Sequence, residues 1–282
     1  MSKSRLLLVV VSIAVAIGIY LLPVKPLKVK EETKEEKEEK VASEDTFDAG
    51  TYFSGKKEAL EVLLQDSLNL LDNQLESAAG AEEKLEHLEK ITDFCYRNKL
   101  AALAAKYEKK KIEWSSDPDE LKKTGDRLIR ISFVEEQNPG ARLYISNAAI
   151  KAYNKALEVD PDNIDTKVRV ASAYMDGTNQ VMQGVTLLLE VLDDDPENVD
   201  ANLILGRYGI ISGQLDKALS RLNTVIEQDS TIAEAYLYRA EALNGLGRTE
   251  EAIADFERCK KLLDNPQLER EIDIFIKELK NN

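Results

Sequence analysis

Small side chains recur in the C-terminal half of this 282-residue sequence at intervals of 34 or 35 residues. One series, with spacings of 35, 34 and 34 residues, comprises Ala149, Gly184, Ala218 and Ala252. A second, with spacings of 35 and 34, comprises Ala171, Gly206 and Ala240. Two antiparallel helices need small residues where they cross closely, because a larger side chain would push them apart. The interval therefore predicts an all-α chain of repeated helix pairs.

Large residues and prolines follow the same period. A large side chain stands four positions after each member of the first series, at Tyr153, Leu188, Leu222 and Phe256, and repeats close at Pro161, Pro196 and Pro266. The fullest repeat carries Tyr236, Arg239, Ala240, Leu243, Gly247, Ala252, Phe256 and Pro266. This pattern resembles the tetratricopeptide repeat (TPR) between Leu128 and Pro266. The resemblance implies a helical solenoid whose first helices line a concave face.

Local signals set the expected limits of the repeats at residues 118–266. Asp117 precedes a proline and predicts an N-cap for a helix at 119–134, and residues 143–159 predict its partner. The second repeat is one residue longer than the others, and we place the extra residue between its helices, at 177–184. Residues 267–282 predict a capping helix that covers the last repeat with Ile272, Phe275, Ile276 and Leu279.

Residues 51–117 predict an irregular helical region. Helical periodicity runs over 56–75 and over 82–113, and in the first stretch Leu60, Leu63, Leu64, Ser67, Leu68 and Leu71 predict an apolar stripe. The segment at 91–111 has two interpretations. It is either a degenerate helix pair that extends the solenoid, which we favour, or a separate coiled pair.

The first 50 residues predict a membrane tether and a spacer. Residues 6–22 are an uncharged apolar run after the short basic tail at 1–5. As a helix the run is about 25 Å long, the short end of a bilayer span. We interpret it as a transmembrane signal-anchor, with a cleaved signal peptide as the alternative. Residues 23–50, rich in Lys and Glu, predict a flexible charged linker.

Positive charges flank the apolar run on both sides, so their count does not decide its orientation. A very short basic tail usually stays in the cytoplasm. We therefore expect a single-pass protein of a bacterial inner membrane with its C-terminal domain in the periplasm. The alternative is a cytosol-facing receptor of the same architecture.

Composition argues against catalysis and against nucleic-acid binding. The 38 Lys and Arg residues stand against 52 Asp and Glu, a net charge of −14 that repels phosphate. His87 is the only histidine, and Cys95 and Cys259 lie far apart in sequence, so no catalytic triad or clustered metal site is indicated. We predict no enzyme activity, no cofactor and no metal, and interpret His87 as solvated, both thiols as packed, and the basic run at 106–111 as a solvated face.

The concave face is the predicted binding site. Equivalent inward positions give three rows: Val168, Leu203 and Leu237; Ser172, Arg207 and Glu241; Met175, Ile210 and Asn244. The rows lack the Lys and Asn cluster of chaperone-tail receptors, and an apolar floor with one Arg and one Glu suits an extended peptide or a helix. We predict a membrane-tethered interaction scaffold that binds a protein partner there. Two alternatives stay open: a self-associating assembly factor, and packing of these residues against the C-terminal helix.

Overall fold

A computed structural model describes residues 47–178, 180–263 and 265–281. Within them the chain forms thirteen α-helices and no strand. The helices are α1 (Ala49–Glu58), α2 (Val62–Ser77), α3 (Ala81–Arg97), α4 (Ala101–Trp114), α5 (Pro118–Val134), α6 (Pro139–Val159), α7 (Ile164–Ser172), α8 (Val181–Asp194), α9 (Val199–Ile211), α10 (Leu215–Gln228), α11 (Ala233–Gly245), α12 (Thr249–Leu262) and α13 (Pro266–Lys280).

The predicted anchor at 6–22 and most of the predicted linker lie outside the described residues. In the part of the chain that is described, every helix is too short or too polar to cross a membrane. The last four residues of the predicted linker belong to the folded part, since α1 begins at Ala49. Asp48 caps this helix by accepting a hydrogen bond from the backbone N–H of Thr51 at 3.0 Å.

The chain divides into two compact units, residues 47–187 and residues 188–281, and the division falls inside α8. In the first unit, α3 pairs with α4 and α5 pairs with α6. In the second, α9 pairs with α10, α11 pairs with α12, and α13 packs against α12. Each unit has its own apolar core, made from the inner faces of these helices.

Close helix crossings occur at the small residues, as the sequence predicts. A Cβ on Gly206 of α9 would lie 2.9 Å from Cγ of Leu222 on α10. The corresponding contact in the first unit joins α5 to α6, where a Cβ on Gly125 would lie 2.3 Å from the ring of Tyr153. Gly125 was not in the predicted series, because α5 and α6, with 17 and 21 residues, are longer than α9 and α10, with 13 and 14, and this breaks the 34-residue spacing.

The extra residue of the second repeat lies inside a helix and not in the loop that follows it. α7 continues into a π-helical turn at Ala173–Gly177, and a π-turn accommodates one more residue than an α-turn. Gly177 ends this turn against α6, where a Cβ would come within 2.8 Å of the Ser146 side chain. The 35-residue spacing between Ala149 and Gly184 therefore reflects a local change of helix type.

The irregular region extends the helical array of the first unit. The α3–α4 pair packs onto α5 through α4, and its buried residues belong to the same core as those of α5 and α6. The α3–α4 pair therefore shares one core with α5 and α6. The predicted helix at 56–75 is two helices, α1 and α2, because the chain turns between them and α1 packs on α4 and α6. As a result Leu63 of the predicted apolar stripe is 79% exposed.

A buried ionic network joins α3, α4 and α5. Glu108 and Lys111 of α4 are almost fully buried. Glu108 accepts a hydrogen bond from the Tyr96 hydroxyl at 2.9 Å and lies 3.5 Å from the Arg127 guanidinium. Lys111 pairs with Glu89 of α3. The basic run at 106–111 is therefore not wholly a solvated face, since its last lysine is a core residue with ionic partners.

The close crossing of α9 and α10 at Gly206 gives a direct test of the helix register. Gly206→Leu should lower the free energy of unfolding by about 1–3 kcal/mol, because the new side chain must displace Leu222. Thermal unfolding followed by circular dichroism measures this loss. Gly55→Leu in α1 is the control, because no atom lies within 4 Å of its added Cβ. An equal melting temperature for Gly206→Leu and the parent chain would contradict the register.

Candidate functional site

The nine predicted groove residues fall in both units, three in residues 47–187 and six in residues 188–281. In the first unit Val168 and Met175 are buried and Ser172 is half-buried. The Ser172 hydroxyl donates a weak hydrogen bond to Asp176 at 3.3 Å. Of these three side chains, only Ser172 is partly accessible to a ligand.

The π-helical turn explains the position of Met175. It changes the helix period just before this residue, so the equivalence with Ile210 and Asn244 that a constant α-helical period predicts does not hold. Met175 instead packs beneath α8, where a Cβ on Gly184 would lie 2.3 Å from its Cγ. Met175 therefore fills the space that Gly184, which has no side chain, leaves between α7 and α8.

The second unit brings the remaining six residues together on neighbouring helices. We call this surface the α9–α11 face; it comprises Leu203, Arg207 and Ile210 of α9 with Leu237, Glu241 and Asn244 of α11. The two helices contact each other directly. Leu237 is fully buried, while Leu203 and Ile210 are half-buried and pack against the same core. The face therefore has an apolar floor with partly open apolar edges.

Arg207 and Glu241 are the ionisable residues of the α9–α11 face. Arg207, which the sequence places in a row of the groove, is only 8% exposed, so little of its side chain is accessible to a ligand. Its guanidinium carbon lies 4.8 Å from the centre of the Tyr208 ring. Burial raises the pKa of Glu241 to about 8, although the positive charge of Arg207 acts in the opposite direction. At neutral pH this carboxyl is therefore largely protonated and can donate as well as accept a hydrogen bond.

The C-terminal helix packs elsewhere in the second unit. α13 packs against α12, where the ring of Phe275 meets the ring of Phe256 edge-on with centroids 4.9 Å apart. The neighbours of α9 in this unit are α10 and α11. Leu203 and Ile210 border the apolar cluster that also contains the buried residues of α13.

The isolated reactive side chains are structural. Cys95 and Cys259 are fully buried, as the sequence predicts, and burial raises the pKa of each thiol to about 12. A thiol with such a pKa carries almost no thiolate at neutral pH, and the thiolate is the nucleophilic form. His87 is half-buried, which differs from the solvated residue that we expected. Among the described residues no group of three or more His, Cys, Asp or Glu side chains is arranged to hold a metal ion.

A second concave surface lies in the first unit, and the sequence analysis did not predict it. It is a groove of about 510 Å³ lined by α6, α7 with its π-turn, and α8. Apart from Met182, its apolar residues belong to the core or border it, so their helical period predicts burial and gives no signal for an open groove. The one available signal was Met182, an apolar residue at a position that the repeat places outside the core.

Family models and curated proteins relate parts of this chain to known repeats. Tetratricopeptide repeat models match residues 210–262 and residues 146–163. DnaJ homolog subfamily C member 7 of Mus musculus is 28% identical over 145 residues, which cover 43% of this chain and 29% of the relative. The protein of the same name in Homo sapiens matches to the same extent. The chain thus spans less than a third of the length of the curated relatives it matches.

Solved structures of helical repeat proteins are also similar to this chain. A MamA structure is 22% identical with a TM-score of 0.41, over 58% of this chain and 82% of that chain. A structure of YrrB, described as a TPR protein with an unusual peptide-binding site, is 17% identical with a TM-score of 0.43, over 67% of this chain and 91% of that chain.

The raised pKa of Glu241 predicts a pH dependence of stability. The native state holds the proton of Glu241 more tightly than the unfolded state, so this residue makes the protein less stable as the pH rises from the usual glutamate range to about 8. Glu241→Gln removes the titration, and the melting temperature of the variant should therefore fall less between pH 5 and pH 9 than that of the parent chain. Glu250→Gln, at an exposed position of α12, controls for net charge. Parallel pH profiles for the parent and Glu241→Gln would refute the assignment.

Proposed function

We propose that this protein is a non-enzymatic scaffold that binds a protein partner on its α9–α11 face and is tethered to a membrane through residues 6–22. The TPR models support the first part, because the longer match begins at the end of α9 and runs through α11 and α12. Repeats of this family serve as binding surfaces in many assemblies, and the family is generally non-enzymatic.

The observation that supports the binding proposal is the partly exposed apolar surface of the α9–α11 face. Leu203 and Ile210 lie on the same side of α9, because they are seven residues apart and seven residues make close to two helical turns. Both are half-buried above the fully buried Leu237. A partner that covers them removes apolar surface from water, which is worth about 25 cal/mol per Å².

Polar groups on the same face give the partner an orientation. Glu241 and Asn244 lie one helical turn apart on α11 and both are half-buried. A largely protonated carboxyl and an amide each offer a donor and an acceptor, which suits the backbone of an extended peptide or the end of a short helix. We therefore expect a ligand segment with one or two apolar side chains and free backbone groups.

The tether rests on the sequence alone. Residues 6–22 contain no charged residue, and Lys3 and Arg5 precede them, which is the arrangement of a signal-anchor. A charged spacer would then separate the membrane from α1 by an r.m.s. distance of roughly 30 Å. We place the folded part in the periplasm of a bacterial cell envelope, because a very short basic tail usually remains in the cytoplasm.

Substitution on the α9–α11 face should separate binding from folding. Peptides that bind the full chain in a nonionic detergent are first selected from a displayed random library. We expect Ile210→Asp to weaken binding of the selected peptides by about tenfold or more. The reason is that the carboxylate would lie on the apolar floor in the complex. Arg207→Glu is a poorer probe, because reversing a buried charge threatens the fold itself.

Ile211→Asp and Lys217→Glu are the controls for this experiment. Ile211 is 37% exposed at the end of α9, and Lys217 is an exposed residue of α10. Both control variants should keep the affinity of the parent chain, and circular dichroism checks that all variants are folded. The binding proposal fails if no peptide is selected, or if folded Ile210→Asp binds the selected peptides as tightly as Ile211→Asp.

The tether is tested by fractionation. The intact chain should sediment with membranes and resist extraction by high salt, whereas a chain lacking residues 6–22 should be soluble. Recovery of a soluble chain that begins near Ile17 would show a cleaved signal peptide instead. Protease added to intact spheroplasts should digest the folded part, and protection there would place it on the cytosolic side.

A further inference from the structure

The groove between α6 and α8 is apolar with a basic edge. Leu157 of α6, Val170 and Tyr174 of the α7 segment, and Met182 and Leu187 of α8 line it. Met182 is 73% exposed, although it borders an apolar concavity. The lining includes Lys167 and no carboxylate, and among the described residues Lys167 has no ion pair. In a chain with a net charge of −14 this is an unusual local excess of positive charge.

Another part of the α6 surface already holds a short helix. α1, ten residues long, packs against both α4 and α6. Phe47, just before α1, and Phe53 within it place their rings 5.4 and 5.9 Å from the ring of Tyr144 on α6. The surface of α6 therefore accommodates one additional short helix near its start, and the groove lies near its other end, beside Asn154 and Leu157.

α2 carries an apolar and acidic face with no described helix against it. Leu63 and Leu70 are 79% and 61% exposed, and exposed Asp66 lies between them at the i+3 position of the same face. α2 contains no Lys, Arg or His. It packs on α3, and Asp72 of α2 pairs with Lys57 of α1 and accepts a hydrogen bond from the Tyr107 hydroxyl of α4. Repeat proteins normally cover the apolar face of a terminal element, so this stripe is a candidate contact surface.

We propose that the open face of α2 in one copy of this chain docks in the groove between α6 and α8 of a second copy. Leu63 and Leu70, about 10 Å apart along the helix, enter the apolar groove, and Asp66 meets Lys167. The two surfaces are complementary in charge, and neither charged residue has an ion pair among the described residues. The contact goes beyond the proposed function, because it uses neither the α9–α11 face nor the membrane tether.

The geometry of this contact sets the type of assembly. The two surfaces differ, so the contact is head-to-tail and repeats from copy to copy. Copies therefore form a ring when the rotation closes and an open chain when it does not. A scaffold with this property presents several α9–α11 faces at once, which raises the avidity for a multivalent partner.

Charge exchange tests the pairing. Sedimentation velocity of the full chain in a nonionic detergent, over a range of concentrations, should show association that weakens with salt. Lys167→Asp and Asp66→Lys should each weaken association about tenfold, because each places like charges opposite one another. The double variant should restore the association of the parent chain. Lys123→Asp, at an exposed site of α5, should leave association unchanged.

The apolar part of the contact is tested separately. Leu63→Asp should abolish association without unfolding the chain, since the side chain is exposed. A parent chain that is monomeric at every concentration overturns the proposal. So does a double variant that stays as weak as the single variants. Loss of association on changing Lys167 but not on changing Asp66 or Leu63 also overturns it, because the groove would then hold another segment.

Discussion

The contact of one small residue with one large side chain brings α5 against α6 and α9 against α10, and the packing of both units depends on it. Gly125 under Tyr153 and Gly206 under Leu222 bring the two backbones close enough for the flanking apolar residues to interlock. Interiors are close-packed, so an extra methylene at such a point has nowhere to go. Because the same contact recurs in both units, each pair presents its remaining faces in a regular order.

Those remaining faces give the protein two different surfaces. The α9–α11 face belongs to the first helices of two pairs and combines an apolar floor with the Arg207 and Glu241 side chains. The groove of the first unit lies between α6 and α8 and carries Lys167 at its edge. A surface with polar groups that can both donate and accept suits a peptide backbone, whereas an apolar groove between helices suits a second helix. The two surfaces share no residue.

The region before the repeats depends on electrostatics as well as on apolar packing. Glu108 and Lys111 are buried among Glu89, Tyr96 and Arg127, and burial raises the pKa of Glu108 despite its cationic neighbours. Removing one member of such a network leaves an unpaired buried charge, which costs more than the network itself contributes. This gives α4 one defined position between α3 and α5, where an apolar contact alone would allow sliding.

Much of this fold is determined by the sequence itself. The helix pairs, the crossings at Gly206 and Gly184, the caps of α5 and α13 and the burial of both cysteines follow from spacings and residue types that act within one or two turns. The recurrence of a small residue every 34 positions is a local requirement repeated along the chain. A local requirement of this kind can be recognised before any contact is known.

Tertiary packing decided the features of the fold that depend on residues distant in sequence. The sequence treats Arg207 and Lys111 as surface charges, because a helical period shows which side of a helix is polar but not what covers it. The π-turn moved Met175 under Gly184 because one extra residue had to be accommodated inside a helix that was already packed. The docking of α1 on α4 and α6 requires contacts between helices that are far apart in sequence. The groove between α6 and α8 likewise forms only when the helices pack. No regular interval along the chain predicts such contacts.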